Sequence, residues 1–431
     1  MENLDFKIKK LGKATIQSPL ADVHFESENS SIAYHKDASR LREELEKTGA
    51  LTSFEKAGPR AKIYHDPSWS KAAILTAGGL CPGLNDVIKG LTRTLMVRYK
   101  VPIVYGIKYG YQGLNPEYGH EPIMLTPDIV DDIHEAGGTI LGSSRGRIDE
   151  NVMADTLERM NINLLFCIGG DGTLRCAHDV VKVIEKRKLN ISVICIPKTI
   201  DNDINFMDQT FGFETAVYAT NSVITSAHYE AKGAPNGIGL IRVMGRDSGF
   251  IAAYATLANT HINYCLIPEE EFSMDELFTS LEKRLRVRKH AVIIAAEGAG
   301  QHLFNDDTVR KDKSGNKLHS NIGIYLHEQL DDWAAKKGLE LNVKYFDPSY
   351  MIRSLPAHGT DAVFCQMLAM NAVHAALSGC TDTVIGHWHD SFTHVPIAMA
   401  TRERKKIDLH SSLWTGVRSV TWDNNWKSHL Y

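Results

Sequence analysis

Leu164-Leu165-Phe166-Cys167-Ile168-Gly169-Gly170-Asp171-Gly172-Thr173 and, after a helical stretch, Ile191-Ser192-Val193-Ile194-Cys195-Ile196-Pro197-Lys198-Thr199-Ile200-Asp201-Asn202-Asp203 are built alike. Each opens on an apolar run with little polar alternation, the texture of a strand buried on both faces. Each then breaks into a loop rich in glycine or acid. Strand, helix and strand in this order predict a parallel sheet with helices on both sides. Such sheets bind ligands at the carboxyl ends of their strands. The two loops therefore read as facing one crevice, one holding phosphate and metal and the other a base. That is equipment for moving a phosphoryl group onto a hydroxyl.

The same texture extends outward from Lys71. Strands are predicted at 72–76, 102–106, 164–168, 192–196, 238–243, 264–267, 291–296 and 341–346, and helices at 84–99, 175–188, 213–229, 274–286 and 322–336. Residues 1–70 differ. They are polar and weakly periodic, with one short helix at 39–48, and Gly58-Pro59 and Asp66-Pro67 punctuate the exit. They read as an N-terminal extension wrapped on the body. The expected division is 1–70 extension, 71–230 and 231–400 two α/β domains, and 401–431 a tail packing back on the body.

The 431 residues carry a formal net charge of −4, which implies no broad field toward nucleic acid or membrane. No apolar run approaches the roughly 20 residues that span a bilayer. Met1-Glu2-Asn3-Leu4-Asp5 lacks the apolar core of a secretory signal, and Ser428-His429-Leu430-Tyr431 is not a peroxisomal Ser-Lys-Leu address. The expected compartment is the cytoplasm. Seven scattered cysteines without a CxxC pair read as reduced, buried thiols.

Each loop has a chemical reading and a plainer one. In Thr76-Ala77-Gly78-Gly79-Leu80-Cys81-Pro82-Gly83 the glycines allow backbone N–H groups close to a phosphate, although an ordinary strand-to-helix turn looks the same. It is not a Walker A loop, since no Gly-Lys-Ser/Thr follows. Ser143-Ser144-Arg145-Gly146 offers hydroxyls and a guanidinium whose planar fork suits phosphate oxygens; alone, Arg145 reads as a surface arginine. In Gly169-Gly170-Asp171-Gly172-Thr173, Asp171 is a carboxylate fit for Mg²⁺, Gly172 leaves space for a bulky donor, and Thr173 caps a helix or binds phosphate. In 198–203, Asp201 is the candidate base, Asp203 its support, Thr199 a contact for the transferring group and Lys198 a cation for the transition state. The alternative there is an Asx-rich turn. Met244-Gly245-Arg246, Glu297 and Asp347-Pro348-Ser349-Tyr350-Met351-Ile352-Arg353 also follow predicted strands and suit a sugar phosphate. His387-Trp388-His389-Asp390, with His394 nearby, has metal-like composition but matches no zinc spacing. Arg402-Glu403-Arg404-Lys405-Lys406 reads as a solvated helix face.

From Lys71 to about Thr401, these blocks in this order resemble the 6-phosphofructokinase family. The N-terminal extension, Ala57-Gly58-Pro59-Arg60 and 347–353 look like its plant and trypanosome ATP-dependent branch. The resemblance implies an α/β fold of two Rossmann-like three-layer domains, 71–230 binding nucleotide and 231–400 binding sugar phosphate, with the active site in the cleft between them. It implies an allosteric cytoplasmic kinase of glycolysis that moves a phosphoryl group from ATP to the 1-hydroxyl of fructose 6-phosphate, with Mg²⁺, as a homo-oligomer (dimer or tetramer). By resemblance Gly79, Arg145, Gly146, Gly170, Asp171, Gly172 and Thr173 contact ATP, and Asp171 serves Mg²⁺. Thr199, Ile200, Asp201, Met244, Gly245, Arg246, Glu297, Tyr350, Met351, Ile352 and Arg353 contact the sugar phosphate. Lys344 stands where short bacterial enzymes have an arginine for the 6-phosphate.

Two departures bear on mechanism. Pyrophosphate users have Asp at the position of Gly172, so glycine points to ATP, whereas Lys198 matches the pyrophosphate users. Gly172 and Lys198 together are typical of the plant and trypanosome branch. Gly237 replaces an arginine that reaches a neighbouring subunit in short bacterial enzymes, so that contact does not carry over. The alternatives are a pyrophosphate-dependent enzyme of the same fold and a non-catalytic sugar-phosphate sensor. NAD kinase chemistry shares only the Gly-Gly-Asp-Gly-Thr pentad.

Overall fold

The computed structural model describes residues 4–304 and 320–421. The first three residues, the tetrapeptide 428–431 and the last part of the expected tail lie outside the described residues. In chain order the main strands are β1 (Ser31–Ala33), β2 (Ser53–Lys56), β3 (Lys71–Thr76), β4 (Ile103–Ile107), β5 (Ile123–Met124), β6 (Leu164–Gly169) and β7 (Ser192–Pro197). There follow β8 (Gly237–Val243), β9 (Tyr264–Leu266), β10 (His290–Ala296), β11 (Asn342–Phe346), β12 (Thr383–Trp388) and β13 (Ser391–Pro396).

These strands belong to two compact units. The first comprises Met1–Thr199, Ile204–Gly212 and Ser354–Glu403; the second comprises Ile200–Asp203, Phe213–Arg353 and Arg404–Tyr431.

The first unit is built on a nine-stranded sheet, in the order β1-β2-β13-β12-β7-β6-β3-β4-β5. Its central strands β12, β7, β6, β3 and β4 are parallel. Every residue of β6 and β7 is buried, as their unbroken apolar runs require. On one face Leu165, Cys167, Val193 and Cys195 pack with Leu174, Ala177 and Val180 of the helix Asp171–Arg187. On the other, the helix Gly359–Leu377 lies between the sheet and the helix Leu84–Arg93. Covered from two sides, Gly359–Leu377 buries residues around much of its circumference, so it shows no single apolar stripe. The expected helix 84–99 ends as an α-helix at Arg93 and continues as a π-helical segment, Thr94–Arg98.

The sheet is completed by pieces the sequence reading left as an extension or as loops. β1 and β2 come from the first 70 residues; β2 pairs antiparallel with β13, and β1 antiparallel with β2. β12 and β13 form a hairpin whose two turn residues, His389 and Asp390, both have positive φ, 48° and 59°. That is the backbone of the tight turns that match strand twist. The metal-like run 387–390 is thus a hairpin corner. Its companion His394 is fully buried, with Nδ1 3.2 Å from Oε1 of Glu55. Glu55, Cys380 and His394 bring one ligand atom each within 4.8 Å of one another. Lys10 and Arg60 already lie 3.3 and 3.2 Å from the Glu55 carboxylate, so we read the cluster as a buried ion-pair group joining the N-terminal segment to the hairpin.

The second unit has a four-stranded, all-parallel sheet, β9-β10-β8-β11. Leu240, Ile293 and Ala295 share its core with Leu277 and Leu281 of the helix Met274–Arg288 and with Leu326 and Leu330 of Ile322–Lys337. β8 carries glycine where the helix Phe213–Lys232 rests directly on it. A Cβ on Gly237 would stand 2.0 Å from the Ala231 carbonyl oxygen, and one on Gly239 2.7 Å from that of Ala227.

The boundary expected at 230 differs from this division. Phe213–Lys232 packs on β8, β10 and β11 and so belongs to the second unit. Residues 354–403 return to the first because Gly359–Leu377, β12 and β13 complete its sheet. The chain first passes from one unit to the other at Thr199–Ile200.

Candidate active site

In the first unit the loops after β3, β6 and β7 leave neighbouring strand ends, since Thr76 is in register with Ile168 and Gly169 with Pro197. The Lys198 amide donates to the Gly169 carbonyl at 3.0 Å. The Lys198 side chain is buried and donates from Nζ to the Gly79 carbonyl at 2.6 Å. Ser143 Oγ donates to the Gly78 carbonyl at 2.6 Å, and Ser144 Oγ to that of Tyr109 at 2.6 Å. These bonds fasten the segment 143–146 beside Gly78 and Gly79 and leave Arg145 and Gly146 exposed. The helix Asp171–Arg187 starts at Gly170 without a side-chain cap, and backbone N–H groups at such an end suit an anion. Thr173 is buried there, its carbonyl accepting from the Tyr111 hydroxyl at 2.8 Å. A Cβ built on Gly172 meets nothing within 4 Å. Gly79, Arg145, Gly146, Gly170, Asp171, Gly172 and Thr173 thus surround one set of strand ends, together with Lys198 and Thr199.

Asp171 accepts from Arg175 Nε at 3.0 Å through Oδ2, and Arg175 donates onward to the Thr401 carbonyl. Its carboxylate is a hard oxygen donor at a helix N-terminus, which fits Mg²⁺.

In the second unit Asp201 and Asp203 occupy one short loop. Ser248 Oγ donates to the Asp201 carbonyl at 3.1 Å, and the Lys405 amide to that of Asp203 at 3.0 Å. Arg404 Nη1 pairs with the buried carboxylate of Asp203. Burial, then the charges of Asp203 and Glu297, push the Asp201 carboxyl up to about 8, against the opposing pull of Arg353 and Arg404. Such a group ionises near neutrality and can accept a proton.

Met244, Gly245 and Arg246 follow β8 directly. Gly245 has φ +124°, and a Cβ there would lie 2.4 Å from the Ser248 carbonyl oxygen, so only glycine permits the turn. The Glu297 amide donates to the Val243 carbonyl at 2.9 Å, seating Glu297 beside this turn. Arg353 Nε lies 2.9 Å from the sulfur of Met244, and its guanidinium stands 5.6 Å from the centre of the Tyr350 ring. The Ile352 amide donates to the Pro348 carbonyl at 3.1 Å. Ile352 is buried beneath the exposed Tyr350 and Met351. Lys344 stands apart. It is exposed in mid-strand, in register with Gly239, and no described hydrogen bond or ion pair ties it to this group.

Two charged residues that the sequence reading passed over belong to the second group. Arg242 ion-pairs with both Glu297 and Asp347; its only sequence signal is a charge inside an apolar strand. Arg404 lies in the run read as a solvated helix face. That segment is not helical. Arg404 faces Asp203, and Lys405 Nζ stands 5.0 Å from the centre of the Phe250 ring. No local pattern marks a partner 201 residues away.

A family model described as phosphofructokinase matches residues 71–376. The chain is 47% identical to an ATP-dependent 6-phosphofructokinase of Borreliella burgdorferi, covering 97% of each chain. It is 44% identical to an ATP-dependent 6-phosphofructokinase of Trypanosoma cruzi, covering 85% of this chain and 76% of that one. It is also 40% identical to ATP-dependent 6-phosphofructokinase 7 of Arabidopsis thaliana, over 90% and 79%. Among solved structures, a pyrophosphate-dependent phosphofructokinase from Marinobacter aquaeolei superposes with a TM-score of 0.67 over 82% of this chain and 92% of its own, at 20% identity, a likeness of fold. A parallel α/β sheet with phosphate-type loops at its strand ends, in a chain whose relatives are kinases, defines a phosphoryl-transfer protein. The chain belongs to the phosphofructokinase family.

Proposed function

We propose that the chain is an ATP-dependent 6-phosphofructokinase, transferring the γ-phosphoryl group of ATP to the 1-hydroxyl of fructose 6-phosphate. The observation that carries the reading is the segment 198–203. Lys198 is built into the phosphate-type loops through Gly79, and three residues on Asp201 is a carboxyl poised near 8.

In this reading Asp201 takes the proton of the 1-hydroxyl as its oxygen forms the new bond to phosphorus. The bond from phosphorus to the bridging oxygen breaks and ADP leaves. Asp203, paired with Arg404, keeps Asp201 basic through its charge. Lys198, Arg145 and the backbone donors of 170–173 neutralise charge on the transferring group. Thr199 contacts it. Met244, Gly245, Arg246, Glu297 and Tyr350 to Arg353 bind the sugar phosphate, with Lys344 an outlying candidate for the 6-phosphate. Asp171 would hold Mg²⁺, which when bound withdraws charge from the phosphate oxygens.

ATP is favoured as donor by the open space at Gly172 and by the relatives' donor. Lys198 favours the second reading, a pyrophosphate-dependent enzyme. Product formation from fructose 6-phosphate and Mg²⁺, with ATP or pyrophosphate as the only donor, decides between them. Activity with neither, but with fructose 6-phosphate bound, would support a non-catalytic sensor. No described helix is long and apolar enough to cross a membrane. None of the seven cysteines is in a disulfide, which suits the reducing cytoplasm we assign. The homo-oligomer, dimer or tetramer, implied by the resemblance is read by mass in solution.

A further inference from the structure

β8 is flanked in its sheet by β10 and β11. Arg242, its penultimate residue, is in register with Ala295, two residues before Glu297; Ile241 is in register with Phe346, next to Asp347. From this central position the guanidinium forks to both neighbours. Nη2 donates to Glu297 at 3.0 Å, and Nη1 donates to Asp347 at 2.9 Å and to Ser349 Oγ at 3.4 Å. Asp347 in turn accepts from the Ser349 amide at 3.1 Å and from its hydroxyl at 2.5 Å. That closes the turn from which Tyr350 and Arg353 emerge.

We infer that Arg242 is a positioning residue that sets the two sugar-binding loops of the second unit, Glu297 on one side and 347–353 on the other, in a single geometry. The inference rests on the sugar-phosphate reading of those loops. One cation between two carboxylates cancels their repulsion, and a planar fork with donors on two edges fixes the angle between them. The side chains are only 18%, 20% and 32% exposed for Arg242, Glu297 and Asp347, so the bridge is less screened than a surface pair. A lysine can pair with two carboxylates but lacks the planar fork that fixes the angle between the loops.

The test is steady-state kinetics of the full chain carrying Arg242→Met or Arg242→Lys. Arg242→Met should raise KM for fructose 6-phosphate about tenfold or more with kcat within about threefold and KM for ATP unchanged, the pattern of lost ground-state positioning. Arg242→Lys should fall between Arg242→Met and the parent. Asp347→Asn keeps the shape of the turn and loosens one arm, so it should raise the same KM less; it serves if Arg242→Met does not fold. An unchanged KM for fructose 6-phosphate in a folded Arg242 variant, or equal losses in both substrates' KM values, overturns the inference. Failure of the parent chain to turn over fructose 6-phosphate would instead overturn the functional reading beneath it.

Discussion

The Lys198 ammonium donates to the Gly79 carbonyl oxygen at 2.6 Å, joining the loop after β7 to the loop after β3 across the intervening strand β6. A buried cation beside the loops read as binding phosphate can neutralise charge on an incoming anion. Lys198→Met preserves the length and apolar stem of the side chain and removes that charge. We expect kcat to fall about 10²–10³-fold, the range for losing one transition-state donor, with KM for fructose 6-phosphate little changed. Initial rates with both substrates varied check this, and a kcat within twofold of the parent would remove Lys198 from the transition state.

The proposed base, Asp201, makes a pH prediction. Burial, Asp203 and Glu297 raise Asp201 to about 8. The reactive form is the ionised one, so kcat/KM for fructose 6-phosphate should rise about tenfold per pH unit below 8 and level off above it. Asp201→Asn should abolish this limb and cost about 10²–10⁴ in kcat, the usual range for a general base. A flat profile between pH 6 and 9 would assign proton removal to another group.

Arg404 lowers the pKa of Asp201 and pairs with Asp203. In Arg404→Ala the two carboxylates lose a shared counter-charge, so the acidic limb should move to higher pH while the plateau rate is largely kept. The same pH series reads this outcome. An unmoved limb with a lower plateau would make Arg404 a structural contact only.

Gly172→Asp tests donor choice at little cost to the fold, because a Cβ there meets nothing within 4 Å. The added carboxylate should repel the α-phosphate and lower kcat/KM for ATP by tenfold or more, with the melting temperature unchanged; about 1.4 kcal/mol of repulsion suffices for that factor. Unaltered use of ATP would show that Gly172 does not set the donor.

Stability carries its own pH dependence through His394. Burial opposes its charge, but Cys380 and Glu55 together outweigh that and hold the imidazolium up to about 9. The folded pKa therefore exceeds the unfolded one of 6.5. The stabilisation is fully present below 6.5 and is lost as pH rises through 9. Comparison with His394→Gln isolates it: the melting-temperature gap between parent and variant should be widest near pH 6 and close toward pH 9.5. A gap that stays constant would mean that His394 is buried neutral.

How much of this was legible beforehand differs from element to element. The strands at 164–168, 192–196 and 291–296 were found within a residue of their ends, because a strand covered on both faces must be apolar throughout. The helix Gly359–Leu377 and the β12–β13 hairpin were not found. The helix is buried around much of its circumference and so lacks a stripe, and the hairpin turns on His389 and Asp390 without the usual glycine. The loops at 76–83, 143–146, 169–173 and 198–203 stood out in the sequence because the phosphate and proton chemistry we propose uses particular side chains at short spacing.

By itself, then, the sequence determined the parallel α/β character, the strand-end loops and the candidate base, since each depends on residues near one another in the chain. Only the tertiary structure decided that Phe213–Lys232 joins the second unit and that 354–403 returns to the first, because sheet membership depends on pairing between distant strands. It alone placed Arg404 on Asp203 and Arg242 between Glu297 and Asp347. An ion pair is set by where two charges meet after the backbone has folded, and a charge in a local sequence window carries no mark of its partner.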